Sequence, residues 1–280
     1  MSILVENLTY IYMQGTPFEK TALKNVNLKI ESGEVLAIVG KTGSGKSTLI
    51  QHFNGLLKPT EGKVLINGVN ISRKKNGNIK NKVGLVFQYP EHQFFEETVF
   101  KDIAYGPSKM ELSKKETEQR VCKSIQDVGL DNKILEKSPF EISSGEKRKV
   151  AIAGIIAMNP EIIVLDEPTV GLDPQGRREI IDLLNRLRKE QSTTIVIVSH
   201  NMNDVLTFAE RIVLLEEGKI KLDQKTNSVF DYMDSLQESG LMVTPAVYLF
   251  NKLSNVIPGI DKRIKSIVDA KREILKCLEG

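Results

Sequence analysis

Cysteine is scarce: the chain carries two in 280 residues, Cys122 and Cys277, far apart and with no CxxC pair. That excludes a disulfide framework and a thiolate zinc site, and it fits a reducing cytosol. A charge excess is also missing, since 39 Lys and Arg against 36 Asp and Glu leave only +3. Proteins that live on phosphate backbone carry a larger basic surplus, so no nucleic acid partner is expected. The longest apolar runs, Val150 to Met158 and Ile162 to Leu165, fall well short of the ~20 residues a spanning helix needs. Any membrane role is therefore expected through a partner. The start, Met1-Ser2-Ile3-Leu4-Val5-Glu6, lacks the basic and apolar regions of a signal peptide and reads as a mature start. Neither an internal repeat nor a low-complexity tract is visible. With 40% hydrophobic and 27% charged residues, the chain reads as a folded protein of one large or two modest domains.

Short apolar runs of strand character alternate with helical patterns, the sign of a mainly parallel sheet flanked by helices. Val35 to Val39 is the first buried strand; a glycine-rich turn and a helix from Thr48 to Leu57 follow. Val64-Leu65-Ile66, Asn67-Gly68 and Val69-Asn70-Ile71 predict a hairpin, because Asn-Gly supplies the positive φ angles of a type I′ turn. Arg73, Lys74, Lys75, Lys80 and Lys82 form an acid-free loop, either solvated or facing anionic lipid or RNA. Residues from about 98 to 158 read as a helical insertion, in which Val121, Ile125 and Val128 precede a C-capping Gly129. Strands then resume at Ile162 to Asp166, Thr194 to Val198 and Arg211 to Leu215, with an amphipathic helix carrying Ile180, Ile181, Leu184 and Leu187 between the first two. After Glu217-Gly218 a tail of roughly 60 residues reads as largely helical, broken at Gly240, Pro245 and Pro258-Gly259.

Chemistry concentrates in a few places. Gly40-Lys41-Thr42-Gly43-Ser44-Gly45-Lys46-Ser47-Thr48 fits G-x-x-x-x-G-K-[ST] between a strand and a helix. Its glycines let backbone N–H groups curl around phosphates, Lys46 reaches the terminal phosphates, and Ser47 completes a Mg²⁺ shell. A chance match is on the order of one per cent in a chain this long. The strand Ile162 to Asp166 delivers Asp166 and Glu167 at its C-terminal end, where open α/β sheets bind ligands. Asp166 suits Mg²⁺, and Glu167 suits the polarisation of an attacking water, worth about 10²–10⁴ in rate. Ser143 to Glu146 has the S-x-x-E spacing of a capping box before an apolar helix. It is either a helix start alone or also a donor to a phosphate held by another subunit.

These motifs, with Gly171-Leu172-Asp173 and Ser199-His200, stand in the order seen in ABC transporter ATPases, and the resemblance covers about residues 3 to 222. Gly15-Thr16-Pro17-Phe18-Glu19, Tyr89-Pro90-Glu91-His92-Gln93-Phe94-Phe95-Glu96-Glu97-Thr98 and Gly240-Leu241-Met242-Val243-Thr244-Pro245 resemble the ATPase subunits of energy-coupling factor transporters, bacterial importers of vitamins and metal ions. The early loop is more similar to the second of the two paired ATPases. The resemblance implies a P-loop ABC cassette at 1–222, with a mainly parallel core sheet, an antiparallel β edge and a helical subdomain at about 98–158. It implies a helical pairing region at 223–280, although such helices would equally suit a lid on the chain's own core. The implied function is Mg²⁺-dependent ATP hydrolysis. The implied partners are a second such ATPase, a transmembrane coupling subunit and a substrate-binding membrane subunit, at the cytoplasmic face of the membrane.

Residue by residue, the resemblance has Tyr12 stack on adenine, Gln88 close the strand Val83 to Phe87 and sense Mg²⁺ and water, and His200 contact the γ-phosphate. Gly40 to Thr48 hold the nucleotide. Ser143 and Gly145 face the partner's nucleotide, and Asp173 lies at the subunit interface, or simply caps the helix that begins at Pro174. Phe94 and Phe95 either floor a groove for the coupling subunit or pack in the core. The stretch Ile142-Ser143-Ser144-Gly145-Glu146 departs from the usual Leu-Ser-Gly-Gly-Gln. Ser144 restricts the backbone, and Glu146 brings negative charge near a triphosphate unless Lys147, Arg148 or Lys149 neutralises it or its capping box turns it back. The nucleotide site completed by this stretch is expected to be the weaker of two. A soluble ABC ATPase acting on ribosomes or DNA, or a P-loop kinase, is the competing reading.

Overall fold

The computed structural model describes residues 2–72, 79, 81–90, 93–241, 245–253, 260 and 267–279. Arg73, Lys74, Lys75 and Lys80 of the basic loop, Glu91-His92, Met242 to Thr244 and Pro258-Gly259 lie outside them. Two sheets face each other. Strands β1 (Ile3–Tyr12), β2 (Lys20–Ile30), β4 (Glu61–Ile66) and β5 (Val69–Asn70) form an antiparallel sheet in the order β2-β1-β4-β5. Strands β3 (Val35–Val39), β6 (Val83–Val86), β7 (Ile162–Asp166), β8 (Thr194–Val198), β9 (Arg211–Glu216) and β10 (Lys219–Lys225) form the second, ordered β10-β9-β3-β8-β7-β6. There β9, β3, β8, β7 and β6 run parallel and β10 is antiparallel to β9.

The parallel strands are apolar along their middles because both faces are covered, and polar residues such as Asp166, Arg211 and Glu216 stand only at their ends. Along β3, Val35, Ala37 and Val39 enter the larger core, while Leu36 and Ile38 face the antiparallel sheet. Helix α1 (Lys46–Phe53) seals that second layer with Leu49, Ile50 and Phe53, all fully buried. The helix is shorter than expected: it starts two residues earlier and ends at Phe53, because Gly55 adopts a positive φ and turns the chain before Leu57. The Asn67-Gly68 turn has φ of 48° and 80°, as a type I′ turn requires. It is the edge of a four-stranded antiparallel sheet, in which β1 pairs with β4 and β2 with β1, two strands that the residue pattern did not announce.

Helices α2 (Val99–Ser108), α3 (Lys114–Asp127) and α4 (Ser144–Ile156) make up the expected helical insertion. Gly129, at φ 72°, ends α3, with the Leu130 N–H returning to the Ile125 carbonyl. Helix α5 (Pro174–Gln191) buries Ile180, Leu184 and Leu187, and α6 (Met202–Phe208) follows β8. The region after Gly218 differs from expectation: it opens as strand β10, which runs through Lys225 and so across residue 222. A short helix α7 (Met233–Glu238) and helices α8 (Pro245–Leu253) and α9 (Ile267–Glu279) come next. Val229, Leu236, Leu241 and Val247 join the main core, whereas Phe250, Ile260 and Ala270 form a small cluster of their own.

Candidate nucleotide site

The C-terminal ends of β3, β6, β7 and β8 open onto one cavity of about 710 Å³. Thr42, Gly43, Gly45, Lys46, Ser47 and Thr48 line one side; Gln88, Asp166, Glu167 and His200 line the other, and Tyr12 stands at the rim. Residues far apart in sequence thus meet where the strand order changes direction, as expected for an open α/β sheet.

The loop's geometry depends on glycine. Gly40 has φ 151°, and a Cβ there would lie 2.2 Å from the Leu215 carbonyl oxygen, so no larger residue fits. Gly45 caps α1 in the left-handed region, leaving the N–H groups at the start of that helix aimed at the cavity. The Lys46 ammonium donates to the Gly40 and Lys41 carbonyls at 2.8 and 2.9 Å. Burial holds its pKa below the ordinary lysine value, opposed by the charges of Glu167 and Asp166. An anion entering here meets a desolvated cation and oriented donors.

Across the cavity, Ser47 Oγ donates to Asp166 Oδ2 at 2.8 Å. Burial raises the Asp166 pKa, and neighbouring Glu167 adds to the rise, while Ser47 and Lys46 oppose it. Glu167 Oε1 lies 2.7 Å from His200 Nδ1, but its buried Oε2 has no protein partner. Such an orphaned carboxylate oxygen is costly unless a ligand or water completes it. With Gln88 on the same wall, the hard oxygen donors Ser47 and Asp166 fit a Mg²⁺ ion held together with phosphate oxygens. The Tyr12 and Thr48 hydroxyls share a hydrogen bond of 3.1 Å, and Tyr10 packs edge-on against Tyr12 at 4.8 Å. The Tyr12 ring is thereby fixed yet 37% exposed, as a base-stacking platform needs.

Not every expected residue enters this cavity. Ser143, Gly145 and Asp173 line a separate depression of about 270 Å³ at the starts of α4 and α5. There Glu146 Oε2 accepts from the Ser143 N–H and hydroxyl at 2.8 and 2.7 Å, while the Glu146 N–H donates back to Ser143 Oγ. Those bonds hold the Glu146 carboxyl below its usual range, with lesser help from Lys137 and Lys149. Of the alternatives for this carboxylate, the capping box is the one realised. Asp173 likewise caps α5 through the Gly176 N–H at 2.9 Å. Lys41 keeps its backbone in the phosphate loop, but its ammonium reaches the tail and donates to the Glu238 carbonyl at 3.2 Å. Phe94 lines an apolar groove of about 220 Å³ with Tyr105 and Met158, whereas Phe95 is mainly exposed and packs edge-on against Tyr105. Residue types alone missed Lys20 and Lys24 on the cavity wall, which only the pairing of β1 with β2 brings there.

Residues 23–170 match the ABC transporter family. The chain belongs to that family. Among its relatives are the energy-coupling factor transporter ATP-binding proteins EcfA2 of Acetivibrio thermocellus, 51% identical over 99% of this chain and 98% of the relative, and of Clostridium acetobutylicum, 52% identical over 100% and 99%. The chain is therefore an ABC cassette of the energy-coupling factor type. Similar folds occur in cbiO1 of Clostridium perfringens, described as part of the ABC transporter complex cbiONQ (TM-score 0.74, 36% identity, 90% of this chain and 98% of that one). They occur also in the dimeric cassette MJ0796, solved in a post-hydrolysis state with ADP and Pi (TM-score 0.72, 32% identity, 80% and 98%). No helix among the described residues is long and apolar enough to cross a membrane.

Proposed function

We propose that this chain is the ATP-hydrolysing subunit of an energy-coupling factor importer of vitamins or transition-metal ions. The observation that carries this reading is the cavity in which Lys46, Ser47, Asp166 and the Glu167–His200 pair converge. Lys46 and the N–H groups that open α1 bind the triphosphate, with the adenine on Tyr12. Glu167 takes the proton of the attacking water, and His200, hydrogen-bonded to its other oxygen, keeps the carboxylate aimed. Ser47, Asp166 and Gln88 would hold Mg²⁺, which when bound neutralises charge developing on the phosphate oxygens.

The depression around Ser143, Gly145 and Asp173 completes a partner's nucleotide site in a head-to-tail pair. ATP then serves as interface glue that hydrolysis removes. Because Ser143 and Glu146 satisfy each other, this face offers a phosphate less than an unencumbered serine would, and the two sites of the pair differ. The partners are a second energy-coupling factor ATPase, through the region from about residue 223, and a transmembrane coupling subunit seated in the groove by Phe94. A substrate-binding membrane subunit completes the assembly, which places the chain peripherally at the cytoplasmic face of the membrane.

The test is to isolate the detergent-solubilised complex through this chain and measure ATP hydrolysis with and without Mg²⁺. Membrane subunits and a second ATPase are expected to co-purify with Mg²⁺-dependent turnover. Recovery of the chain alone or with ribosomes, or a phosphorylated small-molecule acceptor as product, would overturn the assignment.

A further inference from the structure

Arg148 sits in the run Lys147-Arg148-Lys149, whose charge could neutralise Glu146. The structure divides the three. Lys149 reaches across to α5 and pairs with Glu179 at 2.6 Å, half-buried between the two helices. Arg148 is only 6% exposed and turns inward from the second turn of α4 toward the catalytic end of the parallel sheet. There its Nη1 donates to the carbonyls of Glu167 at 3.1 Å and Pro168 at 3.0 Å, and its Nη2 donates to the carbonyl of Gln88 at 3.4 Å. One guanidinium thus reaches the chain just beyond two strands, at Glu167, assigned above to water activation, and at Gln88, assigned above to Mg²⁺.

The backbone it holds is one that needs holding. Glu167 has φ 52°, a left-handed conformation uncommon for a side chain of its kind and unfavourable when nothing compensates it. Its N–H is fixed by the Val198 carbonyl at 2.8 Å, and its carbonyl receives the Val170 N–H besides Arg148. That conformation sends the carboxylate toward His200 instead of along the strand. Relaxing the carbonyl end would let the peptide rotate and swing Oε1 and Oε2 away from their bearings. A planar fork of five donors suits several carbonyls at once, which neither the point charge of a lysine nor an apolar side chain can reproduce.

We infer that Arg148 is a positioning residue for hydrolysis: it fixes the backbones of Glu167 and Gln88 and thereby links the aim of the hydrolytic carboxylate to α4, the helix that Ser143 caps. This rests on the assignment of Glu167 to water activation proposed above. A shift of α4, whose first turn forms the face offered to a partner's nucleotide, is transmitted through one side chain to this chain's own catalytic centre. The two nucleotide sites of a pair are then coupled through Arg148 as well as through shared ATP.

The test uses the intact complex with Arg148→Met and Arg148→Lys, and Glu167→Gln as reference. Steady-state ATP turnover, affinity for a fluorescent ATP analogue, melting temperature and amide hydrogen exchange are measured on each. Arg148→Met is expected to lower kcat on the order of ten- to hundredfold, as small misplacements of catalytic groups do, with nucleotide affinity within about threefold. Arg148→Lys is expected to recover part of the loss, while the amides of Glu167, Thr169, Val170, Gln88 and Tyr89 exchange faster and those of β3 and α1 do not. Where Arg148→Met does not fold, Arg148→Lys carries the test. Unchanged kcat in Arg148→Lys with unchanged exchange at 167–170 overturns the inference, as does a parallel fall of affinity, stability and turnover. Normal turnover in Glu167→Gln would instead overturn the assignment on which it rests.

Discussion

The chain presents two polar faces built from helix starts, and they handle hydrogen bonding in opposite ways. At the phosphate loop, groups are left wanting: Glu167 Oε2 and Ser44 Oγ are buried without partners, and Lys46 is desolvated. At the face formed by α4 and α5, the polar side chains pair locally, Ser143 with Glu146, Asp173 with the Gly176 N–H and Lys149 with Glu179. The first face stores unfavourable free energy that a ligand can relieve; the second is stable alone and must exchange one partner for another. Preorganised, under-satisfied groups characterise the place where charge develops in a reaction. A self-capped face suits conditional contact.

The sharpest way to separate the faces is Glu167→Gln, which keeps size and removes the base. Turnover should fall by about 10²–10⁴ while ATP affinity holds, as single-turnover and equilibrium binding measurements would register. Normal turnover would mean that the unsatisfied face is not where hydrolysis occurs. Next in size is a paired experiment that the fold itself supplies. Ser113 and Ser143 open α3 and α4 with the same reciprocal capping box to Glu116 and Glu146. Replacing either by alanine should cost about 1 kcal/mol of stability by denaturant titration, yet only Ser143→Ala should slow ATP turnover. Equal effects on turnover would reduce the second face to a helix start. Glu146→Gln should in turn raise turnover at the partner's site a few-fold, read with the other site disabled.

Smaller effects probe the edges of the first face. Gly240 has φ 68°, and an added Cβ would lie 2.4 Å from Lys41 Cε. Gly240→Ala should therefore cost about 1–2 kcal/mol and displace Lys41 from the Glu238 carbonyl. A double-mutant cycle with Lys41→Ala should show coupling between tail and phosphate loop; strict additivity would deny it. Under the same face, burial lowers the pKa of His52 from its ordinary 6.5. The unfolded chain then binds a proton that the folded chain refuses, so stability should decline as pH falls below about 6.5, by up to ~1.4 kcal/mol per pH unit. Melting temperature against pH should show this slope, flattened in His52→Gln.

Much of the first face could be read from residue order, because the chemistry of a phosphate loop resides in a contiguous segment whose glycines, lysine and serine act through local backbone geometry. The strand ending in Asp166-Glu167 and the Asn67-Gly68 turn were legible for the same reason. Strand β10 was not, since its charged residues suit an exposed edge; the alternation of Ile220 and Leu222 after Glu217-Gly218 was the available signal. The long pair β1 and β2 escaped because half-exposed strands with bulges mix polar and apolar residues without a clean period.

By itself, then, the sequence determined the local devices: which segments are buried strands, where a loop can wrap phosphate, and that Ser143 starts a helix. The tertiary structure alone decided that Gln88, Glu167 and His200 share a wall, that Lys41 leaves the loop for the tail, and that Arg148 turns toward the sheet while Lys149 reaches Glu179 of α5. Local devices follow from φ, ψ preference and hydrogen bonds a few residues apart. A buried guanidinium's partners, by contrast, are set by which strand ends the packed core brings within reach of its helix.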